Sequence, residues 1–153
     1  MAQYTETPEN YTGNMDRLAR KFETARTLVP APVIVKNGAS KIGFIAYGST
    51  DCALLESLDQ IKQRYGKDVD YLRIRAYPFT SEIHDFVASH ERIYVAEQNR
   101  DGQMASLLKL DLAADQVSKL RSILHYGGLP VDAESITEPV SYTHLDVYKR
   151  QCL

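Results

Sequence analysis

The sequence predicts a three-layer α/β sandwich with a mainly parallel central sheet, and three observations carry that prediction. The short, nearly continuous apolar run Ile42–Tyr47 (IGFIAY) reads as a strand covered on both faces, and Arg92–Glu97 (RIYVAE) reads as a further strand. Between them lie segments of about ten to fifteen residues whose apolar positions recur at spacings of three and four, the period of a helix. Gly, Asn, Asp and Pro punctuate the junctions. Strands alternating with helices form right-handed crossovers, which place helices on both sheet faces.

Taken in order, residues 1–13 are polar and turn-rich and read as linker. Asn14 is the expected N-cap of a helix whose stripe is Met15, Leu18, Phe22, Ala25 and Val29, ended by Pro30 and Pro32. That helix cannot bury its stripe alone, so it docks on the following domain or on a partner. Val33–Val35 offers a strand before the core. After Ile42–Tyr47, Gly48-Ser49-Thr50 makes a turn with Ser49 or Thr50 as N-cap. Leu54, Leu58, Ile61 and Tyr65 then share a helix face, and Gly66 stands at its C-terminus. Val69–Ala76 is the next strand. Thr80 opens a short helix with Ile83, Phe86 and Val87 inward. Arg92–Glu97, a turn through Asn99–Gly102, and a helix with Met104, Leu107 and Leu108 follow. Leu120–Leu124 is a last strand, and Asp132 starts a last helix. The expected division is 1–30 for the linker and docking helix and 31–138 for the α/β domain.

Composition narrows the function classes. The 153 residues hold 18 basic and 20 acidic side chains, for a net charge of −2. With 44% hydrophobic and 25% charged residues, the chain matches an ordinary globular domain and not a disordered, collagen-like or coiled-coil one. No basic patch marks a nucleic-acid binder. No apolar run approaches the ~20 residues of a membrane span. The N-terminal MAQYTETPENYTGNMDR lacks the apolar core of a signal peptide. Cys52 and Cys152 make neither a disulfide framework nor a metal motif. A cytoplasmic protein without a bound metal is expected.

Residues 139–153 read differently from the rest. Val140–Gln151 (VSYTHLDVYKRQ) can be encoded by DNA that nearly equals its own reverse complement. The stretch resembles two transposase mosaic-end adapters joined head to head and translated. The reading frame then requires Ser, Pro, Thr or Ala before it, and Pro139 is there. The natural chain is expected to end near Glu138, which removes His144 and Cys152 from functional arguments.

Ligands of parallel sheets sit beyond the carboxyl ends of the strands, where two turns invite comparison. Gly48-Ser49-Thr50 points amides and hydroxyls at a helix N-terminus, a geometry able to hold an anion. It is neither a phosphate loop with Lys nor G-x-G-x-x-G, and Asp51 adds negative charge, so simple capping is the favoured reading. The second turn carries Glu97, Asn99, Arg100, Gly102 and Gln103, more polar capacity than a connector needs. It reads as a contact surface for another chain or domain, or else as a solvated loop. His84, His90 and His125 lack ligand spacing. Cys52 has no assisting base in sequence and reads as a small buried or half-buried residue. Neither catalytic, cofactor-binding nor metal-binding residues emerge.

Five blocks in order carry a family resemblance: PENYTGNMDRLARKFETA, IGFIAYGSTD, VDYLRIRAYPF, VAEQNRDGQMASLL and KLRSILHYGGLP. Together they resemble the α subunit of 2-oxoacid:ferredoxin oxidoreductases of the 2-oxoglutarate type, over residues 7 to about 138. EQNRDGQM (Glu97–Met104) is the most specific part. The resemblance implies the subunit's C-terminal domain, similar to that of transketolase, within an enzyme of CoA-acylating oxidative decarboxylation. It implies thiamine diphosphate, Mg²⁺, an iron–sulfur cluster and CoA in the whole complex, none held by this piece. The implied partners are the β subunit, the α subunit's N-terminal domain and, through the complex, ferredoxin. A small-ligand module holding CoA or a nucleotide at Gly48–Thr50 is the alternative.

Overall fold

The computed structural model describes residues 4–141. Five strands form one sheet: β1 (Val33–Val35), β2 (Ile42–Tyr47), β3 (Asp70–Ile74), β4 (Arg92–Glu97) and β5 (Leu120–Leu124). Their order is β1-β3-β2-β4-β5, parallel throughout except for β1, which runs antiparallel on the β3 edge. The helices are α1 (Pro8–Leu28), α2 (Thr50–Tyr65), α3 (Ser81–Ala88), α4 (Gln103–Asp111), α5 (Ala114–Val117) and α6 (Ala133–Val140).

Alternation along the central strands divides the core in two. Phe44, Tyr71 and Tyr94 face one side, where α2 and α6 supply Leu54, Leu58, Ile61, Ile136 and Val140. Ile45, Leu72 and Val95 face the other, under Ile83, Phe86 and Val87 of α3 and Ala105 and Leu108 of α4. The handedness rule explains the layering. The step from β2 to β3 runs one way across the sheet and the steps to β4 and β5 run the other, so their helices cover opposite faces. Gly43 sets how closely α3 approaches. A Cβ there would stand 2.8 Å from the Phe86 ring and 2.9 Å from Ile93.

Several boundaries differ from expectation, each for a local reason. Residues 8–13 are helical, not linker, and the N-cap is Thr7, not Asn14. Pro8 suits the first helical position because its missing N–H is one the helix leaves unused, and Glu9 favours the same end. Gly13 sits inside this helix at a cost of about 1 kcal/mol relative to Ala, too little to break a 21-residue helix. β3 is shorter than the expected Val69–Ala76, spanning Asp70–Ile74. In α4 the buried positions are Ala105 and Leu108, while Leu107 faces out, and α5 adds an unforeseen turn before β5. Gly66 (φ 62°) and Asp132, which accepts from the Ser135 N–H at 2.7 Å, close and open their helices as read.

Of the two covers expected for the stripe of α1, the following domain or a partner, the structure removes the first. No residue of α1 is buried, and Met15, Leu18 and Phe22 remain 43%, 39% and 54% exposed, so the stripe does not dock on the domain that follows. Arg26 is its anchor, forking onto Asp111 of α4 at 3.1 and 3.2 Å and donating also to the Phe79 carbonyl. Of the anomalous tail, Val140 packs in the core against α2, and residues 142–153 lie outside the described residues.

Candidate functional site

Strand order reverses between β2 and β4, so a crevice is expected beyond their carboxyl ends. The fold brings both turns read from the sequence to that point. Gln98 joins them. Its Nε2 donates to Ser49 Oγ at 3.1 Å and Thr50 Oγ1 at 3.2 Å, while its Oε1 accepts from the Val131 N–H at 3.2 Å. Asp51 turns away, accepting from the Tyr71 hydroxyl at 2.7 Å and pairing with Arg73 at 3.0 Å. Burial, and then the Asp51 contact, push the Tyr71 phenol far above its ordinary range. The hydroxyls proposed for an anion are thus bridged by an amide from the neighbouring turn.

The second turn is wound around its own backbone. Glu97 ends β4, is 1% exposed, and lies under the start of α4. Its carboxylate accepts from the N–H groups of Met104 at 2.9 Å and Ala105 at 3.2 Å, and from Asn99 Nδ2 at 2.7 Å. Asn99 Oδ1 accepts from the N–H groups of Asp101, Gly102 and Gln103 at 3.1, 2.8 and 3.3 Å. Two side chains therefore satisfy the first-turn donors that a helix leaves unpaired, and the buried negative charge sits at the positive end of the helix. Gly102 caps α4 at φ 61°, a left-handed conformation that a side chain would strain.

The five candidates separate accordingly. Glu97, Asn99 and Gly102 build the turn; Arg100, paired with Asp101 at 2.7 Å, and Gln103 are exposed and free to meet another surface. Gln98 was missed. Its signal was available, because it follows a strand-final residue whose side chain points inward and so projects from the opposite face.

The remaining groups are engaged elsewhere. His84 lies 3.0 Å from Asp111, His90 is buried against Asp70 and the Phe86 carbonyl, and His125 meets the Leu129 carbonyl. Burial opposes the charge on Asp111, but Arg26 and then His84 hold its carboxyl below the usual range. Cys52 is exposed, not buried or half-buried as read, because the apolar face of α2 runs through Leu54, Leu58 and Ile61 instead. Among the described residues no group of three or more His, Cys, Asp or Glu converges as a metal site. Within them, too, no helix is long and apolar enough to cross a membrane.

No family model matches the chain, and no curated protein matches it. Solved structures do. A 2-oxoglutarate:ferredoxin oxidoreductase from Magnetococcus marinus, solved with 2-oxoglutarate, coenzyme A and succinyl-CoA bound, superposes with a TM-score of 0.77 at 19% identity. The chain shares the fold of a domain of that enzyme. The likeness covers 90% of this chain and 24% of that one, so the chain spans about a quarter of its length. The alpha chain of a probable 2-oxoacid ferredoxin oxidoreductase from Thermoplasma acidophilum also matches, with a TM-score of 0.46, 20% identity, and coverage of 73% and 95%. At 19% identity the first likeness establishes the fold alone. The enzyme type that superposes is the one the sequence blocks resemble.

Proposed function

We propose that the chain is a structural and assembly domain of the α subunit of a thiamine-diphosphate-dependent 2-oxoacid:ferredoxin oxidoreductase, of the 2-oxoglutarate type. The carrying observation is the superposition of nearly the whole chain on a quarter of a larger oxidoreductase chain. The five sequence blocks support the same reading independently. In the complex, thiamine diphosphate with Mg²⁺ supplies the decarboxylation chemistry, an iron–sulfur cluster carries electrons to ferredoxin, and CoA accepts the acyl group. Among the described residues no metal-ligand cluster converges, and the Glu97 carboxylate is spent on its own backbone.

What these residues offer is surface. The Met15–Leu18–Phe22 stripe is apolar and uncovered, and Arg100 and Gln103 project from a turn held rigid beneath them. We assign the stripe and the turn to contacts with the β subunit and the α subunit's N-terminal domain. In the complete complex, replacing Met15, Leu18 and Phe22 by Ser is expected to abolish assembly, and Arg100→Ala with Gln103→Ala to weaken it. Normal assembly of both variants, or turnover of a 2-oxo acid by the isolated chain, would overturn the proposal.

A further inference from the structure

We propose that α1 forms half of a two-helix seam, its exposed apolar stripe covered by an acidic amphipathic helix of the β subunit. The identity of that partner rests on the α-subunit assignment, while its chemistry follows from α1 itself.

Spacing decides that the occupant is a helix. Tyr11, Met15, Leu18, Phe22, Ala25 and Val29 follow one another at alternating steps of four and three, the heptad pattern of a helix pair. A repeat of 3.5 residues keeps one seam facing a second helix, crossed at about 20°, over several turns. A strand or a flat surface would not require it. The seam also lies beyond the reach of the sheet. Residues 8–24 are exposed throughout, and only Ala25, Arg26 and Val29 are half-buried. About 25 Å of helix therefore stands clear of the α/β body, at 1.5 Å per residue. In water such a helix is marginal until its apolar face packs.

Charge decides which helix. Lys21 occupies the heptad position beside the seam, with Arg17 behind it on the same flank. Arg26, Arg64, Arg73 and Arg100 each hold a carboxylate, whereas the Arg17 and Lys21 side chains have no hydrogen bond or ion pair among the described residues. The opposite flank carries Thr12, Ala19 and Arg26, and Arg26 is spent on Asp111. A second copy of α1 is a poor match in either direction. Parallel pairing sets Lys21 of one copy beside Arg26 of the other, and antiparallel pairing sets the Lys21 flank against itself. Like charges across a seam work against a pair, and Asp or Glu on the facing flank satisfies both cations. A domain joined covalently to α1 is already held at high effective concentration and needs no charge code. A separate subunit has to be selected, and the β subunit is that separate chain.

The test titrates the full chain into fluorescein-labelled peptides three heptads long, read by fluorescence anisotropy. Both peptides carry Leu at the two core positions of each heptad; one has Glu at the flanking positions and the other Lys. The Glu peptide is expected to bind about tenfold tighter than the Lys peptide. Arg17→Glu with Lys21→Glu should invert that order, and Phe22→Ser should weaken both peptides about tenfold. All three positions are exposed, so these variants fold. In the complete complex, Phe22 replaced by p-benzoylphenylalanine should cross-link to the β subunit on irradiation. No saturable binding at about 1 mM chain, equal binding of the two peptides, or an order unmoved by the charge reversal would overturn the proposal. So would the absence of a cross-link to the β subunit, including capture of a second α subunit or of the same subunit's N-terminal domain instead. Suppose the Ser variants of Met15, Leu18 and Phe22 abolish assembly while the charge reversal leaves it normal. That result removes the acidic helix alone, whereas normal assembly of both removes the α-subunit assignment as well.

Discussion

The turn at Glu97–Gln103 and the helix α1 have opposite relations to the solvent. The turn is the densest polar stretch of the α/β body, yet its key side chains face inward onto backbone N–H groups. The helix carries an apolar stripe and buries none of it. Polarity alone would assign the whole turn to partners and the helix to the core, whereas the structure commits Glu97 and Asn99 to the fold and leaves the helix stripe uncovered. A buried carboxylate must be matched by donors, so Glu97 and Asn99 are committed to the fold. An apolar stripe left in water is the surface that gains by meeting another protein.

The difference is broken most severely at Glu97. Glu97→Ala strands the Met104 and Ala105 N–H groups and the Asn99 amide, and should cost about 3 kcal/mol in denaturant unfolding. A loss under about 1 kcal/mol would return the turn to the solvated surface. Gly43→Ala attacks the body by another route, forcing a Cβ against the Phe86 ring, with an expected cost of about 2 kcal/mol and a visible shift of α3 signals in NMR spectra.

The join between α1 and the α/β body is sensitive to acid. The Asp111 carboxyl is held below its ordinary range, so its contribution to stability is present above about pH 4 and is lost as the pH falls through the lowered value. Melting temperatures of wild type and Arg26→Ala should therefore differ near neutrality and converge below about pH 3. The smallest effect belongs to the arm. Phe22→Ser should change the unfolding free energy of the isolated chain by no more than about 0.5 kcal/mol while raising its solubility. A large loss there would mean that the stripe is covered within the chain itself.

Much of the body was legible in one dimension. The runs IGFIAY and RIYVAE gave the bounds of β2 and β4, and the Leu54–Leu58–Ile61 spacing marked the buried face of α2. The start of α1 was not legible, because Gly13 and Pro8 look like breakers until their positions in the helix are known. Nor was the burial of Ala105 over Leu107, since several faces of α4 are apolar and only the approach of the sheet selects one.

The site divides along the same line. Local chemistry marked Asn99 and Gly102 as turn formers, because a cap and its left-handed glycine lie within a few residues of each other, whereas Glu97 read as a contact residue and only its burial under α4 made it part of the turn. Distance in sequence hid the rest. Gln98 meets Ser49 and Thr50 nearly fifty positions away, and Arg26 meets Asp111 across 85. Hydrophobic period and turn chemistry are properties of neighbours along the chain, so elements and layers can be read in one dimension. Which polar groups are consumed, and which apolar face is left over, depends on how strands are ordered in space, and no local pattern encodes that order.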